Sequence, residues 1–219
     1  MIIAIDGPAG SGKGTITKKI AEKLNLVNID TGATYRAIAY LTLKNNISLS
    51  DKDSIIALSK QADIKFDNND QIYIGDENIT SEIRSVEVTN VVSQISSIKE
   101  VREILVELQR NMAKGKNVIL EGRDITTHVF PNADYKFYLD ATVEERTKRR
   151  YRQNKELGID SSLEEIMNNI KMRDYNDTHK DIGSLKRTDD QIYIDSTDLS
   201  IDEVVDLIIS YIKKDEEVL

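Results

Sequence analysis

The feature that most constrains this chain is a glycine-rich loop that directly follows its first apolar segment. Residues 2–5 are the continuous apolar run Ile-Ile-Ala-Ile, typical of a strand buried on both faces. The loop at residues 7–15 reads Gly-Pro-Ala-Gly-Ser-Gly-Lys-Gly-Thr, and Ile16, Ile20 and Leu24 follow at helical spacing. A strand, the spacing G-x-x-x-x-G-K and a helix together are typical of a P-loop. This combination predicts a nucleoside triphosphate site.

The chemistry of the loop supports that prediction. Glycines let backbone N–H groups turn inward around a phosphate, and the positive end of the following helix adds to the field. Lys13 would be a compact cation for the β- and γ-phosphates, and Thr15 a hydroxyl near Mg²⁺, which would be held mostly by phosphates and water. Gly14 departs from the general pattern, which has Ser or Thr directly after the lysine.

The alternative to a triphosphate site is a glycine-rich loop that only makes a tight turn. The expected triphosphate-binding residues are Gly7, Pro8, Ala9, Gly10, Ser11, Gly12, Lys13, Gly14 and Thr15.

The rest of the chain alternates predicted strands with predicted helices. Apolar runs at residues 118–120, 137–139 and 192–194 resemble buried strands, and a further one is expected at 26–29. This pattern predicts an α/β fold: a doubly wound, mainly parallel five-stranded sheet with helices on both faces. Ligands of such sheets bind beyond the carboxyl ends of the strands. The acidic residues at or near those ends are therefore expected to line one crevice; they are Glu121, Asp140 and Asp195.

One segment breaks the alternation. Residues 64–66 and 72–74 alternate apolar and polar side chains, with Asn-Asn-Asp at 68–70 between them, and predict a small antiparallel hairpin. We take residues 57–97 as an insertion on the α/β core. A long helix is expected next, and its apolar face would carry Val101, Ile104, Leu105 and Leu108.

Composition excludes several classes of chemistry. The chain contains no cysteine and two distant histidines, which excludes a thiolate site, a disulfide framework and a multi-histidine metal site. Its 30 basic and 38 acidic residues give a formal charge of −8, which disfavours extensive electrostatic binding of nucleic acid. The apolar start is too short for a signal peptide, and no run approaches the ~20 apolar residues of a membrane span. We expect a soluble, cytoplasmic protein with no nucleic-acid or membrane partner.

Several further motifs carry a family resemblance. Residues 30–36 read Asp-Thr-Gly-Ala-Thr-Tyr-Arg, and residues 121–124 read Glu-Gly-Arg-Asp. Ser93-Gln94 precedes Val101-Arg102, and Arg173-Asp174 is followed by Asp177. With the Gly-Lys-Gly-Thr ending of the P-loop and the inserted hairpin, these motifs resemble bacterial cytidylate kinases over nearly the whole chain. These enzymes are nucleoside monophosphate kinases within the P-loop kinases.

The resemblance implies Mg²⁺-dependent phosphoryl transfer from ATP to CMP or dCMP, giving ADP and CDP or dCDP, in pyrimidine nucleotide metabolism. It also implies a single kinase unit, expected as a monomer. The core would comprise residues 1–30, 98–142 and 178–219, the monophosphate-binding region 31–97, and a helical lid about 143–177. One alternative is a P-loop kinase of another nucleotide, such as UMP/CMP or AMP, or of a small metabolite. Another is a nucleotide-gated binding protein without turnover.

The resemblance also assigns roles in the acceptor site. Arg36 and Arg123 would hold the acceptor phosphate, since a planar guanidinium grips two oxygens at once. A carboxylate such as Asp124 accepts from the cytosine N4 amino group, where uracil would present an oxygen. Ser93 and Arg102 would also read the base, Tyr35 and Asp177 would shape the ribose site, and Arg173 and Lys180 would lie at the sugar–phosphate end. The expected CMP-binding residues are Thr31, Tyr35, Arg36, Ser93, Arg102, Arg123, Asp124, Arg173, Asp177 and Lys180.

A basic cluster lies within residues 146–152. Arg146, Arg149 and Arg150 fall on one helix face, where positive charge suits the oxygens of a transferring phosphoryl group. The resemblance favours Arg149 and Arg150 as lid arginines, and together with Lys13 they are the expected catalytic residues. The alternative is a solvated helix with ion pairs between turns. No general base is required, because a phosphate monoester with a second pKa near ~6 is mostly dianionic at neutral pH.

The match to the family pattern is incomplete at three places. Lys180 stands where arginine is usual, Thr126 where glycine is common, and Gly-Ser-Leu at 183–185 replaces Ser-Pro-Leu. Structural explanations also remain open for several candidates. Arg123 or Asp124 could form an ion pair at a strand end, and Arg36 could be solvated. Ser93 could be uninformative, and Tyr35 could serve core packing.

Overall fold

The structure, a computed structural model, describes residues 1–67, 69–156 and 158–216. The strands are β1 (Ile2–Asp6), β2 (Val27–Asp30), β3 (Ile64–Phe66), β4 (Ile72–Ile74), β5 (Glu77–Asn78), β6 (Val118–Gly122), β7 (Tyr135–Asp140) and β8 (Ile192–Asp195). The α-helices are α1 (Lys13–Leu24), α2 (Thr31–Lys44), α3 (Lys52–Gln61), α4 (Val86–Ile95), α5 (Lys99–Ala113), α6 (Val143–Glu156), α7 (Leu163–Thr178) and α8 (Ile201–Glu216). A 3₁₀ turn spans Glu82–Arg84, and a single π-helical turn spans Ile125–Val129.

The large sheet has five strands in the order β2-β6-β1-β7-β8. β1 pairs in parallel with β6 and with β7, and β7 pairs in parallel with β8. The predicted α/β fold with a mainly parallel five-stranded sheet is thus confirmed. In this register Asp6 lies opposite Gly122 on one side and Tyr138 on the other.

The contacts within the chain group it into two compact units, residues 1–26 with 117–219, and residues 27–116. The expected division into core, monophosphate-binding region and lid is a functional one and stays a prediction. In the first unit, Ile3 and Ile5 face a core built with α1 and α8. Side chains alternate along a strand, so Ala4 and Asp6 lie on the opposite face, where the π-helical turn is bonded to Asp6.

The second unit has its own apolar core, to which α2, α3, α4 and α5 contribute. β3 and β4 form the antiparallel hairpin that the sequence predicted, with Ile64 opposite Ile74. A third strand, β5, completes this small sheet. It was not predicted, because two exposed polar residues carry no alternation signal. Asn68 of the predicted turn lies outside the described residues.

The segment expected as a helical lid consists of α6 and α7. Helix α7 begins with a capping box, in which the Ser162 hydroxyl accepts from the Glu165 amide and the Glu165 carboxylate accepts from the Ser162 amide. The two helices are joined by an ion pair between Arg146 and Asp174. The described part of this segment is thus mostly helical, and its role as a lid stays a prediction.

Among the helices of the described residues, we find none that is both long and apolar enough to cross a membrane.

Candidate active site

Lys13 is held inside the P-loop by the loop's own backbone. It is the first residue of α1 and is 4% exposed. Its Nζ donates to the carbonyls of Gly7 and Pro8, both at 2.8 Å, and lies 3.3 Å from Ser11 Oγ. The predicted strand–loop–helix arrangement is present, with the positive end of α1 at the loop.

Close approach requires a glycine at position 7 of the loop and leaves little room for a side chain at position 14. A Cβ at Gly7 would lie 2.0 Å from the carbonyl oxygen of Leu139, a separation that no side chain tolerates. A Cβ at Gly14 would lie 3.1 Å from Glu121 Oε1. A Ser or Thr at position 14 would therefore require the Glu121 carboxylate to shift by a few tenths of an ångström.

The charge on Lys13 depends on its surroundings. Burial and, to a smaller extent, the nearby positive charge of Arg123 lower the pKa of Lys13 from 10.5 to about 7. Glu121, Asp6 and Asp177 oppose these effects in part. An anion bound at the loop would raise this pKa and favour the protonated form of Lys13.

Arg123, Asp177 and Lys180 form an ion-paired cluster in the first unit. Arg123 Nε donates to Asp177 Oδ2 at 2.6 Å, and Lys180 Nζ donates to Asp177 Oδ1 at 3.2 Å. Burial would raise the pKa of Asp177, but Arg123, Lys180 and Arg173 outweigh it and lower that pKa. Burial likewise disfavours the charge on Arg123, yet Asp177 and Glu121 raise its pKa overall. Two cations share one carboxylate here, so these three side chains together carry net positive charge.

Asp124 follows Arg123 directly and is 6% exposed. Its carbonyl accepts from the amides of His128 and Val129, at 2.9 and 3.1 Å. The second of these bonds closes the i to i+5 ring of the π-helical turn, a feature that recurs at functional sites. A buried carboxylate is thus placed just beyond the end of β6.

The arginines of α6 differ in their placement. Arg149 Nη1 donates to the Ser11 carbonyl at 3.3 Å and to Ser196 Oγ at 3.1 Å. Arg150 is exposed and donates to Gln153 Oε1 at 2.7 Å. Of the two arginines expected to be catalytic, the structure therefore places Arg149 against the P-loop and Arg150 on the surface of the helix.

Arg146, named in the basic cluster but not among the expected catalytic residues, is the most buried of its arginines. It donates to the Ala9 carbonyl of the P-loop at 3.0 Å and to the Ala141 carbonyl at 2.8 Å. It also forms a two-point ion pair with Asp174. The helical spacing with Arg149 was a usable signal, but sequence alone does not separate a buried arginine from a solvated one.

In the second unit, Asp30 organises the start of α2. Its Oδ1 accepts from the Ala33 amide at 2.9 Å and caps the helix, while its Oδ2 accepts from Arg36 Nη2 at 2.6 Å. Arg36 is thus ion-paired rather than simply solvated. Within the described residues, Arg36 Nε is buried and has no hydrogen-bond partner. Thr31, the first residue of α2, is buried. Asp30 was not among the expected site residues, although an aspartate at a strand-to-helix junction is a usable cap signal.

The residues expected to read the base and shape the ribose in this unit lie on α2, α4 and α5. The Arg102 guanidinium lies over the Tyr35 ring, 5.4 Å from its centroid. Arg102 Nη1 donates to the Ser96 carbonyl at 3.4 Å, and Ser96 Oγ donates to the Ser93 carbonyl at 3.0 Å. Tyr35 is also part of the apolar core, so it combines packing with a contact to Arg102.

Solved structures with a similar fold support the architecture. The chain resembles an uncharacterized protein from Eubacterium ventriosum ATCC 27560, with a TM-score of 0.54, 16% identity and coverage of 97% of this chain and 98% of that one. It also resembles a shikimate kinase from Bacteroides thetaiotaomicron, with a TM-score of 0.51, 14% identity and the same coverage. At these identities the likeness concerns the fold alone.

Sequence comparisons are more specific. The chain is 48% identical to a cytidylate kinase of Alkaliphilus oremlandii (strain OhILAs) over 211 residues, covering 96% of this chain and 97% of that protein. It is 46% identical to a cytidylate kinase of Clostridioides difficile (strain 630) over 212 residues, covering 97% and 98%. The family model for cytidylate kinase matches residues 3–214. The chain therefore belongs to the cytidylate kinase family.

Proposed function

We propose that this enzyme transfers the terminal phosphoryl group of ATP to CMP, giving ADP and CDP, and that dCMP is a second acceptor. The observation that carries the proposal is Asp124, a buried carboxylate two residues after the end of β6. Strand β6 pairs with β1, the strand that leads into the P-loop. In a member of the cytidylate kinase family, this carboxylate is suited to the exocyclic amino group of cytosine.

Base selection follows from that pairing. The cytosine N4 amino group would donate to Asp124, whereas the O4 of uracil would face the carboxylate with a second acceptor. Leaving a buried polar group unpaired discriminates strongly between ligands. Arg102 and Ser93 would supply the donors for the cytosine N3 and O2.

The acceptor phosphate would be held by arginines that are already oriented. Arg36 is fixed by Asp30 and Arg123 by Asp177. Orientation before binding reduces the entropy that is lost when the phosphate is gripped. Its oxygen would attack the γ-phosphorus without a general base, because the acceptor is already mostly dianionic at neutral pH. Thr31, Tyr35, Arg173, Asp177 and Lys180 would complete the CMP site.

The donor phosphates would lie in the P-loop. Lys13 would turn from the loop carbonyls to the β- and γ-phosphates, while Arg149 and Arg150 would stabilise the charge on the transferring group. Thr15, exposed in the first turn of α1, fits a Mg²⁺ ion that keeps most of its waters and binds chiefly through phosphates. Bound there, the ion would neutralise charge on the phosphates. Closure of α6 and α7 would exclude water, a competing acceptor.

The test is an acceptor screen. Diphosphate production is measured from CMP, dCMP, UMP and AMP, each with ATP and Mg²⁺, with the Lys13→Met variant as the control for a contaminating kinase. We expect CMP and dCMP to be used with a kcat/KM at least tenfold above that of UMP or AMP. A preference for UMP or AMP would overturn the proposal, and binding of ATP without any transfer would replace it with a regulatory role.

We also propose that the enzyme acts as a monomer in the cytoplasm, on free nucleotides rather than on nucleic acid. The net charge of −8 supports the last point, since a strongly acidic protein is repelled by a phosphate backbone. Light scattering behind a sizing column measures the mass, for which a monomer predicts 24.8 kDa.

A further inference from the structure

A fully buried carboxylate ties the base of the P-loop to the loop that carries Arg123 and Asp124. Asp6 is 0% exposed and is the last residue of β1. Its Oδ1 accepts from the Ile125 amide at 2.8 Å, and its Oδ2 accepts from the Thr126 amide at 2.9 Å. Asp6, at the end of β1, therefore anchors the loop that carries Asp124.

Thr126 adds a side-chain bond to this anchor and extends it. Its Oγ1 donates to Asp6 Oδ2 at 2.6 Å and accepts from Gln191 Nε2. Gln191 Oε1 in turn accepts from the Thr188 amide at 2.7 Å. Thr126 and Gln191 are 2% and 7% exposed. A buried polar network whose members are satisfied rigidifies its surroundings. The loop that carries Asp124 is therefore held from two sides, by Asp6 at the end of β1 and by Gln191 just before β8.

The network fixes the chain immediately after Asp124. The two amides that follow it are bonded to Asp6, and its own carbonyl is bonded to His128 and Val129. On its other side, Arg123 is held by Asp177. The backbone at Asp124 is therefore restrained in both directions, which fixes the point from which its side chain extends.

We propose that Thr126 and Gln191 are positioning residues for base recognition, which act through Asp6 to hold the Asp124 carboxylate toward the cytosine amino group. The inference rests on the proposed function. It assigns a role to the Thr126 hydroxyl, which donates to Asp6 and accepts from Gln191. Without the hydroxyl, Asp6 and Gln191 would not be joined, and only the two backbone amides would hold the loop to Asp6.

The chief variant is Thr126→Val, which keeps the shape of the side chain and removes the hydroxyl. We expect the KM for CMP to rise about five- to tenfold and the KM for ATP to stay within about twofold, because binding sites lose affinity when positioning groups loosen. The preference for CMP over UMP should fall at least about fivefold. Thr126→Ser keeps the hydroxyl and should restore wild-type values.

The matched control is Thr42→Val. Thr42 is also fully buried, but its hydroxyl donates to the Ile38 carbonyl within α2, so its loss should leave the KM for CMP unchanged. The inference is overturned if Thr126→Val keeps the wild-type KM for CMP and the wild-type selectivity. It is equally overturned if the KM values for ATP and CMP rise together, which would indicate general loosening.

Two further measurements keep the test decisive. If Thr126→Val does not fold, Gln191→Leu breaks the same network from its other end and is judged by the same criteria. Hydrogen exchange at the Ile125 and Thr126 amides needs no substrate, and protection should fall in Thr126→Val and return in Thr126→Ser. A wild-type enzyme inactive on CMP would refute the proposed function, whereas unchanged amide protection would refute the positioning network itself.

Discussion

The guanidinium of Arg146 meets the carboxylate of Asp174 at two points, with Nη1–Oδ1 and Nη2–Oδ2 distances of 3.0 and 2.7 Å. The arginine side chain is 5% exposed, and it also donates to the Ala9 carbonyl of the P-loop. This pair links α6, α7 and the phosphate-binding loop. It is therefore expected to stabilise the fold as well as to shape the site.

Replacing Asp174 by Asn should strongly destabilise the protein. The change leaves a buried guanidinium without its counter-charge, and breaking a buried pair in this way costs about 3 kcal/mol. Urea unfolding measures the difference. Lys99→Met is the control, because the Lys99–Glu103 pair is exposed and its loss should change the free energy of unfolding by less than ~0.5 kcal/mol. Equal effects of the two substitutions would contradict the buried role of Arg146.

Arg150→Ala should show the opposite behaviour. Arg150 is exposed on α6, so its removal should leave the free energy of unfolding within ~0.5 kcal/mol of wild type. If it stabilises the transferring phosphoryl group, kcat should fall at least about a hundredfold. Arg152→Ala on the same helix is the control, since Arg152 is 65% exposed and we assign it no role in transfer. A wild-type kcat in Arg150→Ala would remove this residue from the catalytic set.

The affinity for ATP should fall as pH rises above about 7.5. Burial and the charge of Arg123 lower the pKa of Lys13 to about 7, and the phosphates of ATP should raise it again. At a pH above about 7, ATP binding must therefore be accompanied by the uptake of a proton. In the limit, the dissociation constant rises about tenfold per pH unit until the pH reaches the raised pKa of the complex. Calorimetry at pH 8 in buffers of different ionisation enthalpy should report an uptake close to one proton. Lys13→Met should abolish it, and a wild-type value of zero would show that Lys13 binds ATP without changing its protonation.

Asp30→Asn separates helix capping from the orientation of Arg36. Asparagine caps helices about as well as aspartate, so the thermal midpoint should change little. The charge that holds Arg36 is lost, however, and the KM for CMP should rise about tenfold while the KM for ATP stays constant. Steady-state kinetics with each substrate varied in turn measure both values. Arg36→Ala should shift the same constant in the same direction, and a large rise in the KM for ATP in either variant would place Arg36 elsewhere.

Asp124→Asn should erode selectivity more than turnover. An amide can donate to the O4 of uracil, which the carboxylate cannot, so the ratio of kcat/KM for CMP to that for UMP should fall at least about tenfold. The exposed Asp198 provides the control, and Asp198→Asn should leave this ratio unchanged. Retained selectivity in Asp124→Asn would mean that the base is read by other groups.

The parts of this molecule that follow from local patterns could be predicted from its sequence. The apolar runs of β1, β6, β7 and β8 and the P-loop spacing were enough for the α/β fold, and the alternation at 64–66 and 72–74 was enough for the hairpin. Where the outcome depends on tertiary contacts, local patterns carry too little information. The burial of Arg146 depends on Asp174, 28 residues away, and the π-helical turn is bonded to Asp6, 119 residues from Ile125.

The candidate site shows the same division. Lys13 could be located from the loop motif, and family resemblance pointed to Arg36 and Arg123. Their ion-pair partners, Asp30 and Asp177, could not be assigned as partners, because pairing depends on how each carboxylate is oriented in the fold. The roles expected for Ser93, Arg173 and Lys180 stay predictions.

Because Gly7 leaves no room for a side chain against β7, the P-loop is a poor place at which to change the phosphate donor. Gly7 lies against the backbone of Leu139, where a Cβ would not fit. The carbonyl of the next residue in β7, Asp140, accepts hydrogen bonds from the amide and the hydroxyl of Ser196. Ser196 in turn receives a hydrogen bond from Arg149. Widening the loop would therefore displace the end of β7 and the contacts of Arg149. Donor preference is more safely redesigned at the purine end of the nucleotide than around its phosphates.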